Sequence, residues 1–308
     1  MDLLLVGSIA LDTIETPHKK KENLLGGSAT YFGWAASLFT KVHLVGVVGK
    51  DFPQKSIKQF QQRNINLEGL TIHPTAKTFR WWGKYAEDMN HRETISVELN
   101  ALQDFSPTLP PKYRTIPYVF LANASPTLQA NILDQMESSP HFVAADTMDL
   151  WIRTQHKELE KLLPRIHCLI LNDQEAYLLT EEYNLLKAAK KILSLGPKAV
   201  VIKKGEHGSM LLCNDGIALL PAFPLEHFED PTGAGDSFAG GFMGYLAQNA
   251  NTNFPALKQA LLQGTILASF TVEQFGISKL NQIQLQDVQQ RLDTFLQMLC
   301  WETQTYVQ

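Results

Sequence analysis

The segment Asp230-Pro231-Thr232-Gly233-Ala234-Gly235-Asp236, continued by Ser237-Phe238-Ala239-Gly240-Gly241-Phe242, combines small residues, a proline and a carboxylate in a spacing suited to holding a phosphoryl group. Pro231 stiffens the approach, and Gly233 and Gly235 let neighbouring amide N–H groups converge on an anion. Apolar residues then return at helical spacing through Phe238, Phe242, Tyr245 and Leu246. A helix is therefore predicted to begin at the glycines, with its positive end toward a bound anion. Asp236 would stand beside that anion and could accept the proton of a hydroxyl that attacks the terminal phosphorus of a nucleotide. In a loose phosphoryl-transfer transition state the proton leaves late, so a carboxylate is base enough. The plain alternative is that Asp236 charges the helix start and the glycines make a turn.

Other positions carry a chemical and a structural reading side by side. Asp12 follows Gly7-Ser8-Ile9-Ala10-Leu11; a carboxylate there suits two hydrogen bonds from a vicinal diol, or the backbone donors of a loop. Gly26 and Gly27 would let the backbone approach a ligand, or simply turn before the helix predicted from Ala29. Asn172-x-x-Glu175 is a capping box as it stands. Lys203-Lys204-Gly205-Glu206-His207-Gly208 reads as a hairpin turn between Val200-Val201-Ile202 and Met210-Leu211-Leu212. Asp146 ends the apolar run through Ala144 and Ala145, as a loop cap or a ligand contact. The stretch Gly7 to Asp12 lacks the GxGxxG spacing of a dinucleotide site, and no GxxxxGK[ST] occurs, which argues against an oxidoreductase and a P-loop enzyme.

DPTGAGDSFAGGF resembles the C-terminal signature of the PfkB carbohydrate kinase family, the ribokinase-like sugar and nucleoside kinases, and Gly26-Gly27-Ser28-Ala29 resembles that family's N-terminal glycine pair. The likeness runs from Leu3 to about Gly276. It implies an α/β fold: a ribokinase-like three-layer sandwich, its mostly parallel central sheet flanked by helices, plus a small β lid. It also implies one kinase domain over residues 1–308, with the lid formed by about 13–25 and 72–102. The implied activity is ATP-dependent transfer of the γ-phosphoryl group to a hydroxyl of a sugar or sugar derivative. A nucleoside is the alternative acceptor, and a non-catalytic metabolite-binding homologue the more remote reading.

By the same resemblance Asp236 is the general base, and the amides of Gly233, Ala234 and Gly235 are the anion hole. Asp12, Gly26, Gly27, Tyr31, Arg80 and Asp146 face the acceptor. Asn172, Lys203, Gly205, Gly208, Thr232 and Gly235 border the nucleotide. Glu175 meets Mg2+ through water, and Asp230, with carbonyls near Ser269 to Gly276, marks a K+ site. One position departs from the pattern: where the family often has an asparagine, this chain has Tyr31, whose ring would stack on a base or sugar face or close the pocket. Tyr31, Trp34, Trp81, Trp82 and Tyr85 together favour the nucleoside alternative. The resemblance allows a homodimer through the lid, but the interval between Asp12 and Gly26 is short by the family's standard, which implies a reduced lid and counts against that dimer.

These residues need a scaffold, and short apolar runs alternating with helix-length segments predict a parallel sheet covered by helices. Strands are expected at Leu3 to Val6, Val42 to Val48, Tyr118 to Leu121, Phe142 to Ala145, Cys168 to Leu171 and Ala199 to Ile202. Helices are expected at Ala29 to Phe39, Ser56 to Arg63, Leu128 to Glu137, Asn184 to Leu195 and Pro255 to Phe275. Thr78 to Tyr85 and Thr94 to Leu99 read as two strands joined across a polar turn. The candidate residues fall at strand ends or helix starts, where open α/β sheets place ligands.

A chain of 308 residues with 44% hydrophobic residues can bury a large core. Its net charge of -4 is dispersed, which argues against a nucleic-acid partner. Cys168, Cys213 and Cys300 form no CxxC pair, so neither a disulfide framework nor a zinc site is expected. The start lacks the pattern of a secretory signal and no apolar stretch is long enough for a bilayer, so a cytoplasmic protein with no membrane partner is expected.

Overall fold

The computed structural model describes residues 1–300. In chain order the strands are β1 (Leu3–Val6), β2 (Ala10–Glu15), β3 (Lys20–Gly26), β4 (Val42–Val48), β5 (Ile65–Ile72), β6 (Phe79–Tyr85), β7 (Arg92–Glu98), β8 (Tyr118–Leu121), β9 (Phe142–Asp146), β10 (Cys168–Asn172), β11 (Ala199–Lys203), β12 (Ser209–Cys213) and β13 (Gly216–Leu220). The helices are α1 (Ser28–Ala36), α2 (Gln54–Gln62), α3 (Pro126–Asp134), α4 (Asp149–Thr154), α5 (His156–Leu162), α6 (Asp173–Thr180), α7 (Leu185–Ser194), α8 (Ala234–Asn249), α9 (Phe254–Thr271), α10 (Ser278–Gln282) and α11 (Leu285–Leu299).

Nine strands form one sheet in the order β13-β12-β11-β10-β9-β8-β1-β4-β5, and β3-β2-β6-β7 form a separate four-stranded sheet. In the large sheet the seven neighbouring strands β11, β10, β9, β8, β1, β4 and β5 are parallel; β12 runs antiparallel to β11, and β13, antiparallel to β12, returns to the common direction. Burial on both faces explains why its central strands are unbroken apolar runs without polar alternation. Leu3, Leu5, Phe120, Ile170 and Val201 pack under α1, α8, α9 and α11, through Phe32, Phe242, Ile266 and Phe295 among others. Leu4, Val6, Val119, Leu171 and Val200 pack under α3 to α7, through Ile132, Ile152, Leu159, Leu179 and Ile192. Three layers follow directly from the period-2 alternation of strand side chains.

The small sheet is half-exposed and does alternate. β2 and β6 run parallel with Asp12 beside Trp81, so Asp12, Ile14, Trp81, Gly83 and Tyr85 share the face that packs on Phe275. Thr13, Glu15, Arg80, Trp82 and Lys84 occupy the other face, where Glu15 and Lys84 pair at 2.9 Å and Lys20 covers the Trp82 ring. The strands of this sheet span 10–26 and 79–98, so Asp12 lies within β2.

The expected strands all form, β9, β10 and β11 each running one residue further. The helix expected over Pro255 to Phe275 ends at Thr271 instead. The chain turns after it, with Gly276 at φ 60, and the Gly276 N–H reaches the Asp230 carboxylate. The mixed-polarity strands β2, β3 and β5 lack the unbroken apolar runs that mark the central ones. Among the described residues no helix is long and apolar enough to cross a membrane. Cys168 and Cys213 are buried, Cys300 is exposed, and all are free thiols.

Candidate active site

The carboxyl ends of the parallel strands converge on the start of α8. Asp146 closes β9, Asn172 closes β10 and Lys203 closes β11, with Asn172 and Lys203 paired in register. This is the edge at which open parallel sheets bind ligands. Gly233 caps α8 at φ 77, a left-handed conformation that favours glycine, and its Cα rests against the ring of Tyr31. Residues 231 to 236 remain partly exposed, while α8 beyond them is mostly buried.

The amides at this tip differ from expectation in one respect. The Ala234 N–H turns back to the Pro231 carbonyl at 3.2 Å. Among the described residues Gly233, Gly235 and Asp236 have no backbone acceptor for theirs. The first turn of any helix leaves such donors free, so the open set here is Gly233, Gly235 and Asp236. Lys203 stands against the same turn: a Cβ on Gly235 would lie 2.7 Å from its Nζ.

Four carboxyl groups surround the tip. Burial pushes Asp236 up to about 6, against the opposing charges of Lys203 and Arg92. Asp12, 3% exposed, is pushed up to about 8 by burial, partly offset by the Gly27 N–H and reinforced by the charges of Asp230 and Asp236. Its Oδ1 is buried without a partner, and Gly26 packs so closely on the carboxylate that no side chain fits there. Asp146 is raised well above its usual value by burial and by Asp236, and its Oδ1 is also unpartnered. Glu175 is raised by burial, with Lys203 acting the other way. Buried carboxylates with an unpartnered oxygen, as in Asp12 and Asp146, are costly to the fold, which marks the cluster as a functional candidate.

Asn172 and Glu175 make the capping box: Glu175 N–H donates to Asn172 Oδ1 at 2.7 Å, and Asn172 N–H to Glu175 Oε2 at 2.8 Å. One Glu175 oxygen stays outside that exchange. Among the described residues no group of three His, Cys, Asp or Glu could cage a metal. The orphaned Asp146 Oδ1 and the remaining Glu175 oxygen therefore fit a hydrated magnesium ion touched through water, which keeps most of its own shell.

Asp230 is fully buried and acts as a splice. Its Oδ1 accepts from Thr232 N–H at 2.9 Å and its Oδ2 from Gly276 N–H at 3.0 Å, tying the segment before α8 to the turn after α9. Each of the two carboxylate oxygens thus accepts one backbone N–H. Gly208, at φ 84, lies against the backbone of Leu220 and Pro221 and shapes the hairpin, whereas the space above Gly205 is open, with only Asn90 Oδ1 at 4.0 Å.

Two expected acceptor contacts lie elsewhere. Arg80 projects from the outer face of the small sheet and is held by Asp51 at 3.2 Å and Asn23 at 2.7 Å, away from the Asp12 face. Tyr31 is 1% exposed and fills the space beneath Gly233, so its ring is not free to stack on a ligand; its hydroxyl is buried without a partner. Of the aromatics read as favouring a nucleoside, Trp34 is wholly buried against Phe60, and Trp82 lies on the outer face under Lys20. Trp81 and Tyr85 do share the face of Asp12, and Tyr85 bonds Thr232 between hydroxyls at 2.9 Å. Sequence reading missed Arg92, whose charge acts on both Asp236 and Glu175. Only the strand register, which sets Arg92 opposite Tyr85, could have revealed it.

The chain is similar to known kinases. A cytidine kinase of Thermococcus kodakarensis is 28% identical over 250 residues, covering 79% of this chain and 87% of that protein. The crystal structure of Methanocaldococcus jannaschii nucleoside kinase, an archaeal member of the ribokinase family, superposes with a TM-score of 0.77 at 21% identity, covering 95% of this chain and 98% of that one. A putative ribokinase II of E. coli, solved in complex with ATP and Mg+2, gives a TM-score of 0.80 at 15% identity over 95% of this chain and 99% of that one. The model of the pfkB family carbohydrate kinases matches residues 3–283. With the signature at the tip of α8 and a match across nearly its whole length, the chain belongs to the pfkB family of carbohydrate kinases, phosphotransferases that take an alcohol group as acceptor.

Proposed function

We propose that this protein is an ATP-dependent kinase that transfers the γ-phosphoryl group to a sugar hydroxyl of a nucleoside. The observation that carries the reading is the meeting of two carboxylates: Asp12, buried with an unpartnered oxygen, faces the same region as the partly exposed Asp236 at the helix tip. A substrate diol supplies the donors that Asp12 lacks. The hydroxyl nearest Asp236 gives it a proton as the oxygen bonds to the γ-phosphorus, and the bond to the bridging oxygen breaks to release ADP. The amides of Gly233, Gly235 and Asp236 receive the phosphoryl oxygens, with Lys203 alongside. Magnesium, met through water by Glu175 and Asp146, would supply positive charge to the donor phosphates.

A nucleoside is favoured over a free sugar because the cytidine kinase above covers most of the chain. The half-buried Trp81 also stands beside Asp12 as an apolar wall. An ADP-release assay with magnesium and ATP against nucleosides, free sugars and cyclic polyols tests this. Release with nucleosides is expected. Release with free sugars alone would replace the acceptor, and none with any acceptor would remove the kinase reading.

A further inference from the structure

We infer that Arg92 is a further catalytic residue, a guanidinium delivered by the small sheet which, with Lys203 from the large sheet, brackets the phosphoryl group in transit. This rests on the kinase reading above. β7 pairs antiparallel with β6, so Arg92 stands opposite Tyr85. The Tyr85 hydroxyl is 2.9 Å from Thr232 Oγ1, on the residue just before Gly233. Register and contact together carry Arg92 to the tip of α8. Further along the same hairpin, Asn90 Nδ2 donates to Glu206 at 3.2 Å, pinning it to the loop that follows Lys203.

The guanidinium lies 5.2 Å from the centre of the Trp81 ring, and that indole is fixed by its own N–H to Thr94 at 3.3 Å. An indole face orients a guanidinium without consuming its N–H donors. Among the described residues no carboxylate oxygen comes within 4.0 Å of Arg92 or Lys203, whereas Arg80, Arg114, Arg165 and Arg291 each have a carboxylate partner. Arg92 is exposed on an edge strand, so it adds little to the core. Its charge nevertheless opposes proton uptake at Asp236 and Glu175, two of the three carboxyl groups, with Asp146, that feel Lys203. Two cations from separate sheets, neither neutralised by a carboxylate and Arg92 steadied by a hydrogen bond to the Tyr85 hydroxyl, thus act on one spot, beside a helix start that itself favours negative charge. As the acceptor oxygen bonds to phosphorus and the electron pair of the breaking bond leaves on ADP, Arg92 exchanges no atoms and neutralises charge on the oxygens around phosphorus.

Arg92→Gln and Arg92→Lys, compared with the wild-type protein, test the inference in two measurements. In steady-state ADP release, kcat for Arg92→Gln is expected to fall about 100-fold with acceptor KM within about twofold, and Arg92→Lys to recover part of the loss. In equilibrium binding with magnesium, Arg92→Gln is expected to bind ADP as wild type does, but ADP with aluminium fluoride, a mimic of the phosphoryl group in transit, at least about tenfold more weakly. Thermal unfolding of the variant should match wild type. A variant equal to wild type in both measurements overturns the role of Arg92 and leaves the kinase reading standing. A wild type that releases no ADP overturns the kinase reading, and the fluoride-complex comparison then still decides Arg92.

Discussion

The ring of Tyr31 lies directly beneath Gly233, where any added Cβ would overlap it, while Gly233 holds φ at 77. Helix α1 thus sets the height of the anion-binding turn through an aromatic platform, and the glycine is needed for both backbone angle and space.

Gly233→Ala is expected to lower kcat/KM by about 100-fold, because displacing the amides by about 1 Å is enough for such a loss. It should also destabilise the fold by about 1–3 kcal/mol through the left-handed backbone. Combining it with Tyr31→Ala should restore part of the loss that comes from overlap. Kinetics and urea unfolding of the single and double variants would show that coupling as non-additivity, and strict additivity would contradict the platform.

Asp236 must be ionised to accept a proton, and its pKa is pushed up to about 6 by burial. The expected kcat/KM profile is level at higher pH and falls about tenfold per pH unit below that value. Asp236→Asn should lower kcat by about 100- to 10,000-fold and abolish that limb. Initial rates across the acid range are the check, and a variant that keeps the wild-type limb would assign it elsewhere.

Asp12 costs stability in the free protein. Its pKa is about 8 in the fold against 3.8 unfolded, so between those values the native state keeps a proton that the unfolded chain has released. Its contribution is therefore fully present below pH 4 and is lost as pH rises through about 8. Asp12→Asn removes this dependence and should be more stable than wild type by about 1–4 kcal/mol at pH 8, less at pH 5, while raising acceptor KM. Unfolding at the two pH values would show whether the gap widens upward.

Asp230→Ala should destabilise by about 2–4 kcal/mol, since it strands the amides of Thr232 and Gly276 in a buried place. Asp230→Asn, which retains one acceptor oxygen, should lose less. Denaturant unfolding of both orders them, and equal losses would mean that the amides are satisfied some other way.

The alternation of apolar runs and helices was enough to place the central strands, because strands buried on both faces have to be apolar throughout. It did not place β2, β3 and β5, whose half-exposed faces mix polar and apolar residues. Asn172 and Glu175 read correctly as a capping box, a local geometry that depends on residues three apart. Arg80 and Arg92 could not be told apart: both sit on small-sheet strands, and which one faces Asp12 depends on pairing register, where one residue reverses the face.

Local order along the chain determined the helix that starts at Gly233, the carboxylate beside it and the strand ends that surround them, since each depends on near neighbours. Tertiary structure alone decided that Tyr31 props the turn from below, that Ala234 spends its amide on Pro231, and that the charge of Arg92, on the small sheet, acts on Asp236. The physical reason is that backbone preference acts over a few residues, whereas the charge and contact that tune a buried carboxylate come from whatever the folded chain brings beside it.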